Sequence, residues 1–127
     1  MIEGRQRRIL VIDDEPVVAD LLSEILTIEG HDVDTARNGR TALVKMENKT
    51  YENIITDIRM PEMDGRELHS RIYETDPELA SNIIFITGDT TSDDMSEYLN
   101  KTGNVYLEKP FKPQELLDTI SKVMIKP

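Results

Sequence analysis

Four short apolar runs, each ended by a polar residue and a turn signal, constrain this chain more than any other feature. Arg8-Ile9-Leu10-Val11-Ile12 runs into Asp13-Asp14-Glu15-Pro16, and Asn53-Ile54-Ile55-Thr56 runs into Asp57 and then Ile58-Arg59-Met60-Pro61-Glu62-Met63-Asp64-Gly65. Ile83-Ile84-Phe85-Ile86 ends at Thr87-Gly88-Asp89, and Val105-Tyr106-Leu107 leads to Glu108-Lys109-Pro110. Such runs read as buried strands delivering a polar group to a sheet edge. If the strands are parallel, those groups share one edge, which is where open α/β sheets bind ligands. That edge would carry three aspartates, a hydroxyl and a lysine.

Helical patterns fill the intervals. From Val17 to Glu29, Val18, Leu21, Leu22, Ile25 and Ile28 fall at helical spacing; Asp14 is read as the N-cap, Pro16 lies near the first turn, and Gly30 ends the helix. Gly30 to Ala36 alternates like a short strand, and Asn38 can cap a second helix through Met46. Asp64 caps a third, roughly Gly65 to Glu74, with Leu68 and Ile72 inward. A fourth, roughly Ser92 to Lys101, is polar, with Met95, Tyr98 and Leu99 as its narrow stripe. The fifth, after Pro113, puts Leu116, Leu117, Ile120, Val123 and Met124 on one face. Strand and helix alternate five times, which predicts an α/β fold with a parallel sheet.

At 127 residues the chain is one domain, large enough for a core without disulfides, and it has no cysteine. A net charge of −10 argues against a nucleic-acid surface, which needs clustered Lys and Arg. The basic cluster Arg5, Arg7 and Arg8 reads as a solvated lead-in to a strand. No apolar stretch approaches the roughly 20 residues of a membrane span, and the start lacks the apolar segment of a signal peptide. Ile2-Glu3-Gly4-Arg5 matches a cleavage sequence used to remove expression tags, so residues 1–5 are set apart as a remnant and the domain is taken as residues 6–127.

Asp13, Asp14 and Asp57 brought together would repel, so either some are protonated or a divalent cation sits among them. Magnesium fits, being a hard cation that takes one or two carboxylates and completes its shell with water and phosphate oxygens. Lys109 and Thr87 beside it would suit a phosphoryl group. Asp57, emerging from the most apolar strand, is the candidate nucleophile toward phosphorus, giving an aspartyl phosphate. Catalysis would be positioning and charge neutralisation.

The acidic pair Asp13-Asp14, the segment Asp57 to Gly65, Thr87, and Lys109-Pro110-Phe111 together resemble the receiver domain of two-component response regulators, from Arg8 to about Met124. The resemblance implies a flavodoxin-like (βα)5 fold, a doubly wound parallel five-stranded sheet of order 2-1-3-4-5, the order that receivers share with flavodoxin. It implies a phosphorelay protein whose Asp57 accepts a phosphoryl group from a partner sensor histidine kinase or its histidine phosphotransfer domain. Mg2+ would be held by Asp14, Asp57, the Arg59 main-chain carbonyl and, through water, Asp13. Thr87 and Tyr106 match the family's switch pair, Thr87 moving toward the phosphoryl oxygens and Tyr106 rotating into the vacated space. Lys109 matches the family's lysine, and the Lys109-Pro110 peptide is expected to be cis. The family promotes its own aspartyl phosphorylation and dephosphorylation, and is cytoplasmic, either free or attached to a membrane-bound kinase.

Arg59 stands two residues after the acceptor, where many receivers carry a smaller polar side chain, and Asp89 lies two after Thr87. In the family these positions tune phosphoryl loss, and an Arg59–Asp89 ion pair over the site is expected. Ile86-Thr87-Gly88-Asp89-Thr90 with Lys101-Thr102-Gly103 leans toward receivers of hybrid sensor kinases. A weak homodimer through the fourth and fifth helices is allowed by the family and required by nothing here. No direct nucleic-acid or membrane contact is expected.

Two rival readings remain. A haloacid-dehalogenase-like phosphatase also uses an aspartate, a threonine, a lysine and magnesium, but needs an acid two residues after the nucleophile, where this chain has Arg59. A pseudo-receiver would keep the fold without being phosphorylated, although every residue needed for the chemistry is present. His31 and His69 are read as ordinary surface histidines.

Overall fold

The computed structural model describes residues 6–88 and 92–124, the Met124 side chain excepted. In chain order the elements are β1 (Arg8–Ile12), α1 (Pro16–Ile28), β2 (Asp32–Ala36), α2 (Gly39–Asn48), β3 (Asn53–Asp57) and α3 (Gly65–Thr75). They continue with α4 (Pro77–Ser81), β4 (Ile83–Thr87), α5 (Asp93–Thr102), β5 (Tyr106–Glu108) and α6 (Pro113–Met124). The five strands form one all-parallel sheet of order β2-β1-β3-β4-β5. This is the expected doubly wound topology, in which the order reverses between β1 and β3.

The central strands are buried on both faces because helices cover both. One face packs Leu10, Ile12, Ile54, Ile83 and Phe85 under α2, α3 and α5, and the other packs Ile9, Val11, Ile55, Ile84 and Ile86 under α1 and α6. Each such side chain removed from water contributes about 1.5–3 kcal/mol. β3 and β4 are buried at every residue; of their polar side chains, Thr56 donates to the Asp57 carbonyl, whereas both amide atoms of Asn53 are buried with no hydrogen-bond partner among the described residues.

Several helix expectations are corrected. The Asp14 cap does not form: the N-cap is Glu15, with no side-chain cap bond, while the Asp13 carboxylate accepts from the Glu15 backbone N–H at 2.9 Å. The buried stripe of α1 is Ala19, Leu22 and Leu26, whereas Leu21 and Ile28 face solvent and Val18 and Ile25 are half-buried. That helix is apolar around much of its circumference, so spacing alone admits more than one inward face. A one-turn helix, α4, was not expected. Asp76 ends α3 and also caps α4 through its bond from the Leu79 N–H, and Pro77 follows at the first helical position.

The Asn38 and Asp64 caps do form, accepting from the Thr41 N–H and from the Arg66 and Glu67 N–H groups respectively. Gly65 is required: a Cβ there would stand 2.9 Å from both the Asp57 carbonyl oxygen and the Ile58 Cα, and its N–H donates to the Ile58 carbonyl at 2.8 Å. This contact sets α3 directly against the end of β3. Residues 1–5 and Asp89 lie outside the described residues, as do the remnant reading and the Arg59–Asp89 pair.

Candidate functional site

The carboxyl ends of β1, β3, β4 and β5 meet where the sheet order reverses. β1 delivers Asp13, fully buried, and the exposed Asp14; β3 ends in Asp57, 7% exposed; β4 ends in the buried Thr87; and the segment after β5 brings in Lys109. Oxygens of Asp13, Asp14 and Asp57 all lie within 4.8 Å of one another, close enough to share a cation. Lys109 Nζ donates to Asp57 Oδ2 at 3.2 Å and stands 3.6 Å from Glu15 Oε1 and 4.0 Å from Asp13 Oδ2.

Lys109 is held from both sides. Its backbone N–H donates to the Thr87 carbonyl at 2.8 Å, continuing the β4–β5 ladder, and the Lys109-Pro110 peptide is cis. The Arg59 N–H donates to Asp57 Oδ1 at 3.2 Å, and the loop that follows is closed by the Met63 N–H to the Pro61 carbonyl and the Gly65 N–H to the Ile58 carbonyl. Within that loop Glu62 adopts a left-handed φ of 69°, which costs a residue with a Cβ about 1–2 kcal/mol. The loop is therefore set by its anchors rather than by local preference.

Electrostatics follow from this geometry. Burial pushes the Asp13 carboxyl up to about 6, offset in part by the Glu15 N–H and raised further by the Asp57 charge. The expected repulsion among the acids contributes, but desolvation is the larger cause. For Lys109, burial works against the ammonium, but the charge and hydrogen bond of Asp57, with Asp13 and Glu15, outweigh it and raise its pKa. Asp13 Oδ2 is buried with no hydrogen-bond partner among the described residues.

That orphaned oxygen, in a set of three carboxylates with a lysine at one side, fits a hard divalent cation. The set could bind Mg2+ through Asp13, Asp14 and Asp57 and leave coordination positions for oxyanion ligands. A buried carboxylate beside an ammonium can also accept an electrophile while its developing charge stays compensated.

The structure brings together Asp13, Asp14, Asp57, Thr87 and Lys109. Arg59 has its side chain exposed at the rim, and Tyr106, 45% exposed on β5, points away from the buried cluster. Sequence reasoning missed Glu15, the third carboxylate near Lys109; its place directly after the acidic pair was the available signal. His69 is also corrected. It is half-buried in a cluster of rings with Tyr73, Phe85 and Tyr98, and burial lowers its pKa. His31 is half-buried too, its Nδ1 accepting from the Arg7 N–H at 3.2 Å.

The family model of the response regulator receiver domain matches residues 9–121. The chain is similar to the transcriptional regulatory protein TrcR of Mycobacterium tuberculosis, 31% identical over 115 residues, covering 91% of this chain and 44% of TrcR. It thus spans less than half of that relative's length. Among solved structures it resembles the chemotaxis protein CheY4 of Vibrio cholerae, with a TM-score of 0.84, 30% identity, and coverage of 94% of this chain and 99% of that one. It also resembles the response regulator TrrA of Thermotoga maritima, solved in complex with Mg(2+)-BeF, with a TM-score of 0.78, 36% identity, and coverage of 92% and 98%.

Proposed function

Because this chain belongs to the response regulator receiver domain family, we propose that it is a phosphorelay receiver whose Asp57 takes a phosphoryl group from a phosphohistidine of a sensor kinase or histidine phosphotransfer domain. The observation that supports this most is the convergence, at one sheet edge, of the nearly buried Asp57 with Lys109 Nζ at 3.2 Å and with Asp13 and Asp14.

A carboxylate oxygen of Asp57 attacks phosphorus, the phosphorus–nitrogen bond of the donor breaks, and the departing imidazole takes a proton. Lys109 would follow the charge from the carboxylate to the phosphoryl oxygens, which it can do by a small rotation of its side chain. The Thr87 hydroxyl, at the end of the neighbouring strand, would donate to a second phosphoryl oxygen. Asp14, Asp57, the Arg59 main-chain carbonyl and, through water, Asp13 would hold Mg2+, which supplies charge neutralisation for the transferring group when bound. Asp13 would shed its proton as the cation enters, because its raised pKa reflects a charge that burial leaves uncompensated.

The new group adds about −1.5 to −2 charges to an acidic edge. Thr87 would draw toward it, Tyr106 would turn inward from its exposed position, and α5 would move with them. Arg59, with Asp89, would tune how fast water removes the group; an Arg59→Ala variant that loses phosphate at the parent's rate would overturn that role. A phosphatase reading is disfavoured by Arg59, which stands where that chemistry needs a proton donor. A cytoplasmic location fits this role, and no helix among the described residues is long and apolar enough to cross a membrane.

The test is intact mass after incubation with Mg2+ and acetyl phosphate. A gain of one phosphoryl group, lost in Asp57→Asn and in EDTA, is expected. Failure to gain it from acetyl phosphate and also from a histidine-phosphorylated partner would leave a receiver that only binds.

A further inference from the structure

Away from the acidic edge, a groove of about 520 Å³ runs between α3 and α5. Its size lies in the range of small-molecule sites, which are mostly apolar with a few placed polar groups. The wall is aromatic. His69 and Tyr73, one turn apart on α3, stack with centroids 6.4 Å apart and planes 18° apart, and Tyr98 of α5 meets His69 edge-on at 6.4 Å. Phe85 of β4 closes the cluster from beneath, 5.8 Å from Tyr98. Asn104 fixes the far end by donating both amide hydrogens, to the Ala80 and Ile83 carbonyls at 2.9 and 2.8 Å.

The charge around this groove differs from the rest of the chain. Among the described residues the lining includes Arg66 and Lys101 and no carboxylate, in a protein of net charge −10. Arg66 is paired with Asp64, whereas Lys101 makes no ion pair with a described residue. The α5 acids Asp94 and Glu97 line an adjoining hollow that shares Arg66, Tyr98 and Lys101 with this groove. A half-buried ring cluster with an available ammonium at its rim matches a planar ring carrying an acidic group.

We propose that the groove between α3 and α5 is a binding site for a small aromatic anion, its ring against His69, Tyr73 and Tyr98 and its acidic group at Lys101. The site also stands where it can act on the switch. α3 begins at the end of the loop from Asp57, held there by the Gly65 contact, and α5 follows Thr87 in sequence. A ligand wedged between the two helices therefore has different affinities for the two positions of α5, and occupancy and phosphorylation of Asp57 are reciprocally linked. This linkage, unlike the site itself, rests on the receiver reading of Asp57.

The experiment is an amide NMR titration of the parent chain with two probes, indole-3-acetate for an aromatic carboxylate and adenosine 5′-monophosphate for a nucleotide. Saturable shifts at Arg66, His69, Tyr98 and Lys101 with one probe, at a Kd of roughly millimolar or tighter, are expected and identify the source of the anion. Indole-3-acetamide should bind about threefold more weakly than the acid, Lys101→Met should remove that difference, and the exposed-side variant Tyr73→Ala should weaken acid and amide alike. Absence of saturable shifts with both probes up to about 10 mM, or an amide that binds as tightly as the acid, would overturn the site. Linkage is read by repeating the titration with Mg2+ and beryllofluoride, where a change in Kd of about fivefold or more is expected, absent in Asp57→Asn. An unchanged Kd in a chain whose mass shows phosphorylation by acetyl phosphate would overturn the linkage and leave the receiver reading standing.

Discussion

Replacing Asp13 by Asn should stabilise the metal-free protein. The Asp13 side chain is fully buried, one carboxylate oxygen has no hydrogen-bond partner among the described residues, and burial raises its pKa from 3.8 to about 6. The folded state therefore holds the proton more tightly than the unfolded chain does. The associated stability is complete below about pH 3.8 and is lost as pH rises through about 6, because above that the buried group must ionise. At about 1.4 kcal/mol per tenfold, the difference amounts to roughly 2–3 kcal/mol against folding at pH 7. Asn keeps the shape, and its side-chain oxygen can still accept from the Glu15 N–H, without the charge. Denaturant unfolding in EDTA should show Asp13→Asn more stable than the parent by about 2–3 kcal/mol at pH 7, or roughly 10 °C in Tm, with the difference shrinking toward zero near pH 4. No gain at pH 7, or the same gain at pH 4, would refute the reasoning, since an effect independent of ionisation would come from packing.

Magnesium should reverse part of this contrast: at ten times its Kd it should add about 1.4 kcal/mol to the parent and clearly less to Asp13→Asn, seen in the same melts. Gly65→Ala should cost about 1–3 kcal/mol by denaturant unfolding, because the new Cβ meets fixed backbone at 2.9 Å rather than a movable side chain. Asn104→Ala should cost about 1–3 kcal/mol, since it removes the amide that donates to the Ile83 carbonyl at the start of β4 and to the Ala80 carbonyl of α4, the latter keeping the Asn82 N–H. Hydrogen exchange should show α5 to be the helix most changed by phosphorylation, its inward stripe being little more than Met95 and Leu99 with half-buried Tyr98; an α5 whose protection is unaltered would refute the proposed movement.

Much of the fold was legible in the sequence because β1, β3 and β4 each carry a run of consecutive apolar residues that gives way to a polar group at Asp13, at Thr56-Asp57 and at Thr87. A strand covered on both faces has no room for another pattern, so its end declares itself. The caps at Asn38 and Asp64 were equally readable, since each is a local bond to a backbone N–H two or three residues on. Readings failed where local signals were ambiguous. The α1 sequence offers apolar residues to several directions, and only the sheet beneath selects Ala19, Leu22 and Leu26. At five residues α4 is too short to show a period, although Asp76-Pro77 marks its start.

By itself, then, the sequence determined the parallel sheet, its order through the resemblance, and which residues arrive at its edge, because burial imposes those patterns one residue at a time. Tertiary structure alone decided the distances between them: that burial, more than repulsion, raises the Asp13 pKa, and that Lys109 stands among three carboxylates with Glu15 as the third. It alone gathered His69, Tyr73, Phe85 and Tyr98 from three elements into one ring cluster. Local pattern fixes which way a side chain faces along its own element, but desolvation and contact depend on what the other elements place opposite it.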